Sequence, residues 1–288
     1  MHGGLYNGYI YSNKCGEGVD AYVVDTGIYR EHLDFQDRAF SPANFQPEDG
    51  DGDGSGHGTF CAGVLAGKIF GVAKRARVFS VKVVRSDGTA AVSDILKGVE
   101  FAIQNHLKNV TAANSNRLNG GFKGSVMSMS LGVEPRSPAL ELLVEKAVDA
   151  GIHVAVAAGN DNGDACNTSP AASDKAVTVG ASNIADERAE FSNFGNCTDI
   201  FAPGVNVPGP GTGFEFNVVF GIGTSTSAPH VAGLMAYFLS LQPASNSEFS
   251  VLAITPKEMK EYLIKIASKD KLKNIPEGTP NVSGQSLA

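Results

Sequence analysis

The sequence predicts an α/β fold, a three-layer sandwich with a mostly parallel central sheet and helices on both faces. Short apolar segments recur along the chain without clean alternation of apolar and polar residues, which is typical of strands covered on both faces. Segments with helical periodicity, several of them opened by capping residues, lie between these strands. No linker of biased composition divides the 288 residues. We therefore expect a single domain spanning 1–288.

Five buried strands are predicted, and the first of them ends in an acidic residue. They span residues 18–25, 78–84, 125–130, 152–158 and 176–181. Three other segments are predicted to be loops, two of them because they are rich in Gly, Pro, Asp and Asn. They span residues 41–56, 111–124 and 204–216.

Four helices are predicted between and after these strands, three of them from capping residues. Ser93 is predicted to cap the helix that follows it, and Ser137 with Pro138 to open a helix that Gly151 closes. Residues 227–241 are apolar and rich in small side chains. Thr255 followed by Pro256 opens the last helix. In such a fold, ligands bind at the carboxyl ends of the strands.

Composition excludes several classes of protein. Lys and Arg total 23 against 30 Asp and Glu, a net charge of −7, which disfavours electrostatic binding of nucleic acid or anionic lipid. No run of about 18 apolar residues predicts a transmembrane helix. The four cysteines show no zinc-site spacing, and their number allows one disulfide with two free thiols or four free thiols. The 34 glycines indicate tight turns and places where backbone meets ligand.

Asp25 and His57 are the first two candidate functional residues. Asp25 ends the first strand and is followed by Thr26-Gly27, a common turn sequence. His57 is flanked by glycines and follows the acidic run 48–55. An EF-hand starting at Asp49 would need glutamate at loop position 12, where the chain has Phe60, so the EF-hand match fails.

The third candidate is Ser225, at the predicted start of a helix. A serine there can be a simple N-cap, but it also meets free backbone N–H groups and the positive end of the helix dipole. Such a position can stabilise a developing oxyanion. An acid, a histidine and a helix-start serine in the order Asp25, His57, Ser225 are the parts of an activated nucleophile. The histidine supplies the base that a serine hydroxyl needs near neutral pH.

The segments around these residues, together with one further segment, carry a family resemblance. VVDTG, GHGTFCAG and GTSTSAPHVAGL, which contain the three candidates, resemble the signatures of subtilisin-like serine proteases. Five further segments resemble the proteinase K branch of that family, in particular fungal vacuolar proteases of the cerevisin type: GFKGSVMSMSLG, DACNTSPAA, FSNFGNC, IFAPG and YFLSLQP. The resemblance implies a serine endopeptidase with Asp25, His57 and Ser225 as its triad. It also implies that Asn160, in AAGN, donates its side-chain amide to the oxyanion.

The resemblance also implies a substrate cleft of two edge segments that pair with a peptide backbone, and an S1 pocket of small residues. Pairing with the peptide backbone does not read side chains, so broad specificity is expected. The small residues around S1 imply room for an apolar or aromatic P1 side chain. The implied substrate-binding residues are Gly88, Thr89, Ser130, Leu131, Gly132, Ala157, Ala158 and Gly159.

Further expectations follow from the same resemblance. Cys166 and Cys197 match a pair that is bridged in some relatives, Cys61 matches a buried free thiol, and Cys15 has no counterpart. No organic cofactor is required and no metal site is assigned, although Asp199 matches a calcium ligand of some members. The expected partners are a protein or peptide substrate and an inhibitory propeptide, which is absent here along with the N-terminal lead-in. A monomer in the secretory pathway, vacuolar or extracellular, is expected.

Some residues depart from the branch pattern and motivate an alternative function. Phe60 replaces a second histidine, and residues 226–228 replace Met-Ala-Ser/Thr. Thr226 and Ser227 could perturb packing of the nucleophile helix. The alternative is a catalytically impaired, protease-like protein that binds peptides.

Overall fold

A computed structural model describes residues 11–115, 121–243 and 253–284. Its nine-stranded sheet comprises β1 (Val19–Asp25), β2 (Ala39–Asn44), β3 (Arg77–Lys82), β4 (Gly124–Met129), β5 (Ile152–Ala157), β6 (Val177–Ser182), β7 (Ile200–Pro203), β10 (Ser268–Lys269) and β11 (Val282–Ser283). A separate antiparallel hairpin consists of β8 (Val207–Pro210) and β9 (Val218–Gly221). The strand order is β10-β11-β7-β6-β5-β4-β1-β3-β2, and all neighbours except β10 and β11 pair in parallel.

Two layers of helices cover this sheet, which confirms the three-layer α/β fold. The helices are α1 (His57–Ala66), α2 (Val92–Asn114), α3 (Pro138–Asp149), α4 (Thr224–Leu241) and α5 (Pro256–Ile266). Successive side chains of β1 enter different cores because a strand alternates its faces. Ala21 and Val23 pack with α1, α4 and α5, while Tyr22 and Val24 pack with α2 and α3.

The predicted helix boundaries are confirmed for two helices and wrong for α2. Ser137 accepts a hydrogen bond from the Leu140 N–H at 3.4 Å, and Thr255 forms a capping box with Glu258. Helix α2 instead begins at Val92, so Ser93 lies inside its first turn and is not the cap. At its other end α2 runs on to Asn114, where Ala113 is buried, so the predicted loop 111–124 starts as helix. Residues 116–120 of that loop lie outside the described residues.

Two further predicted loops contain strands. The start of 41–56 belongs to β2 and part of 204–216 belongs to β8. Strand β2 lies at the edge of the sheet, and its side chains are mostly half-buried or exposed, so it lacks an apolar run. Strand β8 contains Pro208 and Pro210, and prolines are tolerated in the edge strands of such a hairpin.

The parallel strands bring the candidate residues to one edge of the sheet. Asp25 ends β1, Ser130 follows β4 and Asn160 follows β5, and these three strands are neighbours. Because parallel strands share an edge for their carboxyl ends, these side chains converge there. The first turns of α1 and α4, which carry His57 and Ser225, lie at the same edge.

Candidate active site

Asp25 and His57 form a direct hydrogen bond. Nδ1 of His57 lies 2.7 Å from Oδ1 of Asp25. Asp25 is only 2% exposed, whereas His57 is half-buried. A carboxylate can only accept, so Nδ1 carries the proton and Nε2 is left as the nitrogen that can take up another. The Asp25 carboxylate, above all, raises the pKa of His57 above its ordinary value.

The first turn of α1 is held against the end of β1 by close packing. A Cβ added at Gly58 would lie 2.2 Å from the carbonyl oxygen of Gly27 and 3.1 Å from Cβ of Asp25. Any other residue at this position would force either the Gly27 turn or the first turn of α1 to shift. The glycine after His57 therefore permits the close packing of α1 against the end of β1.

Asp53 reinforces this arrangement, a role that sequence reasoning missed. Its Oδ1 accepts from the Thr26 hydroxyl at 2.8 Å and from the Gly56 N–H at 2.8 Å. Its Oδ2 accepts from the N–H and hydroxyl of Thr59. Thr26 in turn accepts from the Gly58 N–H at 2.9 Å. Within the acidic run, the buried Asp53 therefore links the turn after Asp25 to the first turn of α1.

Ser225 is the second residue of α4 and is half-buried, with its side chain at the lining of a cavity. Gly223 precedes the helix with φ at +136°, a conformation that favours glycine. A Cβ at Gly223 would lie 3.0 Å from the Ser225 hydroxyl oxygen. A larger residue at position 223 would therefore crowd the Ser225 hydroxyl.

The backbone carbonyl of Ser225 has an unusual set of partners. In a regular helix it would accept from the N–H of the residue four positions on, but that residue is Pro229, which has none. The Ser130 hydroxyl donates to this carbonyl at 2.9 Å, and the Cys61 thiol at 3.3 Å. Both replace the missing helix bond. The Pro four residues after the serine was the sequence signal for this contact.

Asn160 is fixed by its oxygen, which leaves its nitrogen available. Oδ1 accepts from the Thr224 N–H at 2.8 Å and from the Thr224 hydroxyl at 3.0 Å. A Cβ at Gly223 would lie 3.5 Å from Nδ2 of Asn160 and 3.0 Å from the Ser225 hydroxyl. The amide nitrogen and the hydroxyl therefore face the same small region. Thr224, which orients the amide, was not identified from the sequence.

Two cavities flank these residues and share one wall. One, of about 360 Å³, is lined by Ala157, Gly159, Asn160 and Ser225 and, at its rim, by the exposed acids Glu134 and Asp161. The other, of about 350 Å³, contains His57 and Gly88. The shared wall is the segment Ser130, Leu131 and Gly132. Together they form a cleft that runs past the serine and histidine.

Two of the expected cleft residues do not line these cavities. Ala158 is 0% exposed, and its carbonyl accepts from the Asn193 amide at 2.9 Å, so it supports the wall from behind. Thr89 is exposed beside Gly88, and its hydroxyl donates to Asp87 at 2.6 Å. The structure therefore places the Ala158 side chain behind the wall and Thr89 outside the enclosed part of the cleft, and substrate binding by these two residues stays a prediction.

The residues that depart from the family pattern are accommodated. Phe60 is buried in the core. The Thr226 hydroxyl donates to the Gly223 carbonyl at 2.9 Å, and that of Ser227 to the Ala202 carbonyl at 3.0 Å. These polar side chains are therefore satisfied inside the helix packing.

Asp25, His57 and Cys61 also place three potential metal-ligating atoms within 4.8 Å of one another. The direct bond of 2.7 Å between Asp25 and His57 leaves no space for an ion between their two atoms. Burial raises the pKa of the Cys61 thiol, which opposes the thiolate form that metals prefer. The cluster is therefore suited to orienting the imidazole.

The model for the subtilase family matches residues 16–283, which is most of the chain. The chain belongs to the subtilase family. In this subtilase the residues that carry the family signatures are those that meet at the cleft.

Curated relatives agree with this membership. The subtilase is 55% identical to subtilisin-like protease 8 of Trichophyton verrucosum, over 97% of this chain and 56% of the relative. It is 54% identical to the subtilisin-like serine protease Pen c 2 of Penicillium citrinum, over 97% of this chain and 61% of the relative. The chain thus spans little more than half the length of these relatives.

A solved structure agrees with the fold. It is described as a cold adapted subtilisin-like serine proteinase and is 36% identical, with a TM-score of 0.84. The match covers 99% of this subtilase and 94% of the other chain.

Proposed function

We propose that this subtilase is a serine endopeptidase that cleaves peptide bonds through an acyl-enzyme. The observation that carries the proposal is the 2.7 Å bond between His57 and Asp25. The same cleft holds a serine in the first turn of α4 and the Asn160 amide nitrogen, which has no partner among the described residues. Ser225 attacks the peptide carbonyl, and Nε2 of His57 takes its proton and delivers it to the leaving amine. Asp25 holds the imidazole in the required tautomer. Water then repeats the sequence and releases the acid.

The charge that develops on the carbonyl oxygen needs donors in place before the reaction. Nδ2 of Asn160 and the Ser225 N–H are proposed for this role. The Ser225 N–H belongs to the first turn of α4, where N–H groups have no partner within the helix. An amide donates without adding a charge to the site. The contact with Thr224 keeps the amide in position, so little reorganisation is needed during the reaction.

The geometry of the cleft is an argument for peptide substrates. Segment 130–132 and the region of Gly88 face each other across the second cavity, as expected for backbone pairing on both sides of a peptide. The first cavity, with walls of Leu131, Ala157 and Gly159, has room for an apolar or aromatic P1 side chain. Its two acids lie at the rim, so a panel of peptides that vary only at P1 tests the assignment. A preference for lysine over phenylalanine would overturn it.

A serine-directed phosphonylating reagent tests the proposed chemistry. We expect stoichiometric inactivation of the mature protein, with the label mapped to Ser225 by peptide mass spectrometry. The reagent needs both an activated hydroxyl and oxyanion donors, so an ordinary N-cap serine would not react. Label on another residue, or none on folded protein, would contradict the proposal.

A second function, an impaired protein that only binds peptides, is motivated by Phe60, Thr226 and Ser227. The satisfied hydrogen bonds of the two polar residues count against it. Casein hydrolysis by the wild type and by Ser225→Ala discriminates the two functions. Equal background with both proteins would favour the binding protein.

Replacing Asn160 by aspartate should lower kcat by about 10²–10³-fold, with little change in KM. The magnitude is that found on removing the equivalent donor in subtilisin, a member of the same family. The aspartate can still accept from the Thr224 N–H, so the fold around it is kept while the donor is replaced by an acceptor. Asn160→Leu should give a loss of similar size.

The control for Asn160 is Asn167→Ala, which removes an exposed amide near the disulfide and should leave kcat unchanged. Steady-state kinetics on a chromogenic peptide measures both constants. A rise in KM alone would assign Asn160 to substrate binding and remove it from the oxyanion site.

A secretory location, vacuolar or extracellular, is proposed for this subtilase. Cys166 and Cys197 form a disulfide with their Cα atoms 5.3 Å apart, while Cys15 and Cys61 are buried free thiols. Disulfides persist in oxidising compartments. No helix within the described ranges has the length and apolar content to cross a membrane. Protein substrates, inhibition by a propeptide and a monomeric state remain parts of the proposal.

A further inference from the structure

Asp199 is the residue for which the family resemblance suggests calcium. It lies just before β7, at the edge of the sheet opposite the active site. Its N–H donates to the Thr178 carbonyl at 2.9 Å, and its Oδ2 accepts from the Thr178 N–H at 2.8 Å. This pair of bonds fixes the carboxylate beside the start of β6.

The ammonium group of Lys260 lies at the centre of a shell of three oxygens. Its Nζ is 2.8 Å from Oδ2 of Asp199, 2.9 Å from the Asp174 carbonyl and 2.7 Å from the Ala176 carbonyl. The two carbonyls belong to the bend that leads into β6. An ammonium group has three hydrogens, and each has one oxygen here.

This donor set is the kind that calcium uses. Calcium prefers carboxylate and carbonyl oxygens, at about 2.3–2.6 Å. The distances of 2.7–2.9 Å around Lys260 are instead those of N–H···O bonds. A cation at the same point would overlap the ammonium group and be repelled by its charge. The residues present therefore do not fit a calcium ion at Asp199.

The three oxygens around Lys260, one of them from a carboxylate, need a positive charge to balance them. Burial raises the pKa of Asp199, and the nearby Asp174 carboxylate adds to this effect, while Lys260 opposes it. The side chains of Lys260 and Asp199 are only 20% and 17% exposed. Without a cation, a partly buried carboxylate and two carbonyls would point at one another.

Lys260 lies on helix α5, which holds its ammonium group in a fixed position. The first turn of this helix is closed by the capping box of Thr255 and Glu258, and Met259 and Leu263 anchor it in the core. Lys260 thus joins α5 to the loops before β6 and β7. A soluble ion could join only the two loops.

We propose that the Lys260 ammonium takes the place of a metal ion, so that the contact between α5 and the loops before β6 and β7 is stabilised without calcium. Its removal should convert the shell into a calcium site. The Asp199 carboxylate would still be held by Thr178, and the carbonyls of Asp174 and Ala176 by the bend before β6. Loss of the ammonium group would leave space between these oxygens and an uncompensated negative charge.

Thermal unfolding of Ser225→Ala protein, which removes self-digestion from the measurement, tests the proposal. In chelator, Lys260→Ala should lower Tm by about 5–10 °C, because it leaves a partly buried carboxylate unpaired. Millimolar calcium should restore much of this loss. Lys260→Met should show the loss but little restoration, because its stem still fills the space. Lys257→Ala, on the exposed side of α5, is the matched control and should behave as the parent.

Two results would overturn the proposal: an unchanged Tm in Lys260→Ala, or a loss that calcium does not restore. A direct measurement covers the case in which the Lys260 variants do not fold. Equilibrium dialysis with radioactive calcium should give the same number of bound ions for the parent and for Asp199→Asn. Loss of one ion in Asp199→Asn would mean that the parent binds calcium here, and would also overturn it.

Discussion

Ser225→Ala should lower kcat on a chromogenic peptide by about 10⁶-fold, the size found for the equivalent change in subtilisin. The substitution removes the only atom that forms the acyl bond in the proposed mechanism. The remaining oxyanion donors and binding contacts should leave a rate about 10³–10⁴-fold above that of the uncatalysed reaction. Pre-steady-state kinetics should show that the burst of acyl-enzyme formation is lost with it.

The matched control is Ser227→Ala, two residues along the same helix. Its hydroxyl donates to the Ala202 carbonyl at 3.0 Å and takes no part in the proposed chemistry. We expect a lower free energy of unfolding, by about 1 kcal/mol, with kcat retained. Ser225→Ala protein that keeps more than a hundredth of the parent activity would contradict the proposed role of Ser225.

Asp25→Asn should lower kcat/KM by about 10⁴-fold and also change the pH profile. An asparagine can donate to Nδ1 and so favours the tautomer that protonates Nε2, where the mechanism needs a free electron pair. The wild-type carboxylate raises the pKa of His57, so activity should rise with pH as the imidazolium loses its proton. Without the carboxylate that pKa falls, and the acid limb of kcat/KM should move to lower pH.

The control for Asp25→Asn is Asp20→Asn, at the other end of the same strand. Asp20 is buried and paired with Arg77 at 2.6 Å, so its loss should affect stability. It should leave the acid limb in place, because it is not bonded to His57. A limb that stays unchanged in Asp25→Asn would show that another group controls the acid side of the profile.

Much of the fold could be predicted because its central strands are covered on both faces. β1 and β5 read as apolar runs, and their observed bounds differ from the predicted ones by one residue. β2 and β8 were assigned to loops because edge pairing needs no such run. The start of α2 was placed wrongly because its cap, Ala91, has no side chain that can bond the first turn.

Some residues of the candidate site could be predicted from the sequence, and others could not. Asp25, His57, Ser225 and Asn160 lie in short motifs whose residue types indicate chemistry, and the structure brings them to one edge of the sheet. The residues that hold them act through contacts between distant segments, and no local pattern announces such contacts. In the sequence Asp53 is one of several acids in a predicted surface loop, whereas in the structure it is buried, with 8% of its surface exposed.

The Ser225 carbonyl links the first turn of α4, which carries the proposed nucleophile, to the wall of the cleft. Ser130, which donates to it, belongs to the segment that both cavities share. A peptide that draws this segment toward itself would also pull on the first turn of α4. We therefore expect good substrates to be distinguished by faster turnover as well as by tighter association.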